Sequence, residues 1–207
     1  DDRMRHAKSG EWWKTAPHMA LANNSVAYTE KPDAMSFLRE WTSLAESGSG
    51  ERGIFNRQAA TKQAAKNGRR DPNREWGTNP CSEIILAGPK LDKNGNPIAG
   101  TGGQFCNLSE VVVRASDNKK DLLRKVRIAT ILGTIQSTFT KFPYLRKVWA
   151  RNTAEERLLG VSLTGIMDNT LTNGKEGDLN ALLEELKQCA IDTNKEWADK
   201  LGIEVSA

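Results

Sequence analysis

Gly77-Thr78-Asn79-Pro80-Cys81-Ser82-Glu83, followed by Ile84-Ile85-Leu86, is the stretch on which the reading of this chain turns. A glycine leads it, asparagine and proline interrupt any regular ladder, and three apolar residues follow, so it reads as a tight turn feeding a short apolar strand. Turns can hold a side chain toward a pocket, which makes the tip the place for any chemistry. From spacing alone, Cys81 is a small buried hydrophobe before it is a catalyst. Glu83 is then an exposed carboxylate at a strand end, and Asn79 a turn former.

Working outward, residues 18–29 read as a short buried strand that breaks at Lys31-Pro32. Asp33 caps a helix in which Ala34, Phe37, Leu38, Trp41, Leu44 and Ala45 recur on one face until Gly48 and Gly50 stop it. Residues 53–56 form a short apolar step. Residues 57–73 are polar and form a helix-and-loop excursion at the surface, where Lys62, Lys66, Arg69, Arg70 and Arg74 could touch phosphate but read first as a solvated face.

Beyond the central stretch, residues 88–103 form a glycine-rich loop with Asn94-Gly95 as a hairpin tip. Residues 105–114 resume an extended, apolar course. Residues 121–142 suit a helix buried on much of its surface and ended by Pro143. After the charged residues 151–157, residues 158–166 read as a strand meeting a glycine turn. Asp178 caps a last helix striped by Leu179, Leu182, Leu183, Leu186, Ala190, Thr193 and Trp197, with Gly202 near its end. Strands alternating with helices imply an α/β fold.

Composition sets the outer limits. A chain of 207 residues with 38% hydrophobic content can bury a core. Its 30 basic and 26 acidic residues are interleaved, a weak argument for nucleic acid. No apolar run approaches the roughly eighteen residues of a membrane span, and the start lacks a secretory signal, so the expected setting is soluble and cytoplasmic. Cys81, Cys106 and Cys189 form neither a disulfide framework nor a metal-spaced cluster, which leaves redox or nucleophilic chemistry.

The central stretch, taken with Phe105-Cys106-Asn107-Leu108-Ser109-Glu110-Val111, is similar to the finger loop and following strand of ribonucleotide reductases. Three further segments resemble the monomeric, adenosylcobalamin-dependent triphosphate reductases. They are Ala22-Asn23-Asn24-Ser25-Val26, Gly50-Glu51-Arg52-Gly53-Ile54-Phe55-Asn56, and Leu159-Gly160-Val161-Ser162-Leu163-Thr164-Gly165-Ile166. The resemblance implies that residues 1–207 are part of a ten-stranded α/β barrel, with a finger loop at about 77–86 carrying Cys81.

By that resemblance Cys81 becomes a thiyl radical, screened from water, that removes a hydrogen atom from the 3′ carbon of the ribose. Glu83 is the general base for the 3′ hydroxyl proton. Asn79 binds the sugar hydroxyls, its amide both donating and accepting. If the segment is extended, residues two apart share a face, and Asn79, Cys81 and Glu83 all point at one substrate. Cys106 matches one of two cysteines that reduce the 2′ carbon and end as a disulfide. Cys189 falls on the apolar stripe of the last helix and is a core residue.

The same resemblance implies a ribonucleoside di- or triphosphate substrate, a dithiol reductant such as thioredoxin, and a product that supplies DNA replication. It gives adenosylcobalamin as radical source, with a di-iron or dimanganese subunit as the alternative. The partner of Cys106 and the specificity loops are expected before Asp1, and the phosphate-binding turn and tail cysteines after Ala207. The chain then reads as a central fragment, inactive alone, whose remaining barrel segments come from a split or processed protein. A different class of reading is a non-catalytic basic module that binds nucleic acid through Arg69, Arg70 and Arg74.

Overall fold

The computed structural model describes residues 2–20, 22, 24–48, 53–66, 68–79 and 81–207. Asn23, residues 50–52 of one resembling segment, and Pro80 of the central stretch therefore lie outside the described residues. The chain forms two compact units, Asp1–Pro97 and Ile98–Ala207.

The first unit opens with two single-turn helices, α1 (Asp2–Arg5) and α2 (Trp12–Thr15). Pro17 then starts a 3-10 turn rather than the expected strand. Met19, Ala20 and Ala22 donate to the carbonyls of Ala16, Pro17 and Met19, so these amides are satisfied locally and do not enter a ladder. The strand shrinks to β1 (Val26–Tyr28) and is not fully buried. Helix α3 (Ala34–Ser47) follows, with the Asp33 carboxylate accepting from the backbone N–H groups of Met35 and Ser36, and Gly48 closing it in the left-handed conformation. Strand β2 (Ile54–Asn56) pairs in parallel with β1, which completes a β-α-β unit.

Helix α3 differs from expectation in its packing. Met35, Leu38 and Trp41 are mostly exposed, while Glu40 is buried and paired with Arg5 at 3.0 Å. Strands of three residues extend roughly 10 Å. A fourteen-residue helix runs roughly 21 Å, and it meets the strand pair through Phe37 on Tyr28, with ring centroids 6.4 Å apart, which leaves much of its apolar stripe uncovered. Helix α4 (Arg57–Ala65) hides Ala60 and Ala64, one turn apart, against Phe55 and Trp76. Strands β3 (Trp76–Thr78) and β4 (Ile85–Ala87) form an antiparallel hairpin, and Ala87 joins this cluster. The Asn94-Gly95 tip is as expected, since Gly95 has φ +80° and donates to Asp92 O at 3.0 Å.

The second unit is built on β5 (Asn107–Val112) and β6 (Leu159–Thr164), paired in parallel from Asn107↔Leu159 to Val112↔Thr164. Between them run α5 (Lys119–Gln136) and α6 (Lys147–Glu156), and after them α7 (Leu179–Leu201). The core joins Val111, Val113, Leu122, Val126, Ala129, Leu182 and Leu186, with Val161 and Leu163 against it. One face of the strand pair thus carries the helices. The other face presents Leu108, Glu110, Val112, Ser162 and Thr164 to solvent.

Helix α5 starts earlier and stops earlier than its pattern predicts. Asn118 and Asp121 form a reciprocal capping box, and each side chain accepts from the other's backbone N–H. The helix ends seven residues before Pro143, because the Ser137 and Thr138 hydroxyls donate to the carbonyls of Thr134 and Ile135 while Arg157 donates to Ser137 O. Those bonds satisfy carbonyls that another helical turn would have engaged. Among the described residues the strands form three separate two-stranded sheets. The fold is α/β, and no closed barrel is present among them.

Candidate functional site

The hairpin that carries Cys81 is anchored at its base. Trp76, fully buried, is the largest side chain of the first core. Gly88 donates to Glu75 O at 2.8 Å, an approach so close that a Cβ on Gly88 would lie 2.6 Å from that oxygen. Three arginines fasten the two strands. Arg57 donates from Nε to Trp76 O at 2.8 Å, Arg70 from Nη2 to Ile85 O at 2.8 Å, and Arg74 from Nη2 to Gly88 O at 3.1 Å.

Arg70 also lies over the Trp76 ring, 4.3 Å from its centroid. Arg70 and Arg74, at 9% and 8% exposure, are not the solvated face expected of the basic run. The reason is local. The hairpin leaves the Trp76 ring and the β4 carbonyls to be covered from the side, and a guanidinium supplies both a flat surface and N–H donors. Two of the three arginines named for phosphate binding are thereby committed inside the unit. Apolar periodicity carries no trace of this, since the buried groups are basic.

At the tip, Ser82 N donates to Asn79 O at 3.1 Å, which closes a turn. The Asn79 side-chain oxygen accepts from Ile84 N at 3.1 Å and from the Thr78 hydroxyl at 3.3 Å. Ser82 takes φ +66°, a left-handed conformation that is costly for a residue with a Cβ. Its hydroxyl is buried and has no hydrogen-bond partner among the described residues. An atom added to Gly53 would meet that oxygen at 3.1 Å, so the tip rests on the start of β2.

Cys81 and Glu83 flank Ser82, and both are exposed. Three expectations change here. The segment is a turn and not an extended run, so two-residue alternation does not aim Asn79, Cys81 and Glu83 at one point. The carbonyl end of Asn79 is spent on the loop itself, which leaves its NH2 group for a ligand. The sulfur is exposed, and no element of its own unit covers it among the described residues.

Cys106 belongs to the second unit, at the entry to β5, and is half-buried. A Cβ on Gly160 would lie 3.8 Å from its sulfur, which places the thiol over that glycine. Cys189 is half-buried on α7, packs on the core and donates to Leu123 O at 3.6 Å, the core position expected of it. Near the end of β5, the Asp117 carboxylate lies 2.5 Å from Lys125 Nζ and accepts from Arg114 N at 2.8 Å. The Lys125 hydrogen bond chiefly, then the Arg114 N–H, hold its pKa below the ordinary carboxylate value.

Among the described residues no group of three or more His, Cys, Asp or Glu side chains could hold a metal ion. No helix among the described residues is long and apolar enough to cross a membrane. Comparison with protein-family models, with curated proteins and with solved structures gave no match.

Proposed function

We propose that this chain is a segment of the catalytic barrel of a ribonucleotide reductase, with Cys81 as the thiol that becomes the radical. The observation that carries the reading is the hairpin tip. A thiol and a carboxylate two residues apart stand exposed at the end of an arginine-braced hairpin, where both can reach a molecule bound beside the tip. Two parallel β-α-β units support the barrel part of the reading. So does the strand pair β5–β6, which has its helices on one face and an exposed second face, because parallel strands ordinarily have both faces covered.

In this reading the Cys81 thiyl takes the hydrogen atom from the 3′ carbon and returns it at the end of the cycle. Glu83 accepts the 3′ hydroxyl proton. Cys106 and a second cysteine supply two electrons and two protons to the 2′ position, so that the 2′ hydroxyl leaves as water and the pair becomes a disulfide. A dithiol such as thioredoxin reduces it again. Adenosylcobalamin, or alternatively a di-iron or dimanganese subunit, supplies the radical, and other segments of the enzyme would hold it. The substrate is a ribonucleoside di- or triphosphate. Shelter for the sulfur must also come from those segments, since an unscreened radical is quenched.

The test uses the complete enzyme with Cys81→Ser or Glu83→Gln. Deoxynucleotide formation is expected to vanish in both while circular dichroism is unchanged. Full turnover by either variant defeats the proposal. Restoring activity with adenosylcobalamin, or instead with a second metalloprotein, identifies the radical source.

A further inference from the structure

We propose that Asn152 is a positioning residue for the Cys106 thiol, acting through the end of the glycine-rich loop. The functional meaning of this role rests on Cys106 being a redox thiol. Asn152 is 4% exposed and spends both N–H bonds of its amide on loop carbonyls, Thr101 O at 3.2 Å and Gly103 O at 2.9 Å. Its neighbour Arg151 donates to Gly100 O at 3.2 Å. Gly103, at φ +107°, lies flat on Trp149, and a Cβ there would fall 2.9 to 3.1 Å from three atoms of the indole. Gln104 donates to Glu156 Oε2 at 2.5 Å, and Phe105 packs on Trp149 with centroids 4.8 Å apart.

Every residue from 100 to 105 except Gly102 thus has a contact with α6. On the far side of Cys106, Asn107 donates from both its backbone and its side-chain nitrogen to Leu158 O, at 2.8 and 3.1 Å. Cys106 is held between two fastened neighbours, half-buried over Gly160. The composition of α6 points the same way. Its buried residues are Val148, Asn152, Thr153 and Glu156. Burying polar groups costs free energy unless they are bonded, and the Asn152 and Glu156 side chains both bond to this segment. That investment fixes where the sulfur stands on the exposed side of β5–β6.

A half-buried thiol is alkylated mainly through local opening of the segment that holds it. Iodoacetamide labelling of the 207-residue chain at fixed pH, with Cys106 and Cys189 peptides quantified by mass spectrometry, gives the ratio of the two rates. Asn152→Ala is expected to raise the Cys106 rate relative to Cys189 about tenfold, the effect of losing buried hydrogen bonds to the loop. Asn152→Asp, of the same size but with no N–H to give, is expected to match it. Gly103→Ala reaches the same segment from the Trp149 side and raises the ratio even if Asn152→Ala does not fold. A general loss of structure speeds both thiols together and leaves the ratio unchanged, and that result in the variants overturns the proposal. The two readings fail separately. An unchanged ratio removes the role of Asn152 alone, whereas turnover by a complete enzyme carrying Cys106→Ser removes the redox role and leaves the rates standing.

Discussion

Replacing Arg70 by alanine tests whether the basic run is structural. The substitution removes a guanidinium stacked on a fully buried indole and its bond to Ile85 O. A desolvated cation–π contact contributes about 2 kcal/mol, and a charge-assisted hydrogen bond about 1.5 to 3 kcal/mol. The two share one side chain and are not additive, so a combined loss of about 3 kcal/mol is expected in the stability of the hairpin. Because the chain forms two units, a global melt does not isolate this, and amide exchange does. The Gly88 amide, bonded to Glu75 O at the hairpin base, should exchange about a hundredfold faster in Arg70→Ala. Lys62→Ala, at an exposed position of the same basic run, should leave it unchanged. Unchanged Gly88 exchange in Arg70→Ala, together with a loss of salt-dependent affinity for RNA, would refute the reasoning and restore the nucleic-acid reading.

Two further expectations concern the second unit. Leu122→Ala, at a fully buried position among Val111, Val126 and Leu186, should destabilise by about 2 to 5 kcal/mol. Leu132→Ala on the same helix, 60% exposed, should cost less than about 0.5 kcal/mol in urea titrations, and equal losses would contradict the packing. Asp117, whose pKa is lowered by Lys125 and by the Arg114 N–H, stabilises the folded state above its ordinary carboxylate pKa. That contribution disappears as pH falls through its lowered folded value. Asp117→Asn should therefore flatten the stability profile below about pH 4, and identical slopes for both proteins would dismiss the effect.

The local signals in the chain were sufficient for much of the architecture. Asp33 and Asp178 accept the N–H bonds that their positions ahead of apolar stripes foretell, and Gly48 and Gly202 end the same helices in the left-handed conformation. The turn before Ile84, the Asn94-Gly95 tip and the strands at 107–112 and 159–164 were likewise legible, although Gly77 and Thr78 of the expected turn join β3, because turn chemistry and apolar runs act over a few residues. Helix α6 was not, since its buried face is largely polar and leaves no apolar period to read.

Tertiary structure decided the rest, and each decision depends on groups distant in sequence. The commitment of Arg70 and Arg74 to the hairpin required β4 to be in place. The loss of the Asn79 oxygen to the Ile84 amide required the tip to close as a turn, against the extended run that alternation assumed. Exposure of Leu38 and Trp41 is likewise a matter of packing, since an apolar stripe says nothing about whether a neighbour covers it. The sequence by itself determined the capped helices at 34–47 and 179–201 and the strands at 107–112 and 159–164, because caps and apolar spacing are local. Which polar side chains are spent inside the fold, and which remain for chemistry, was settled only by packing, since burial depends on every neighbour at once.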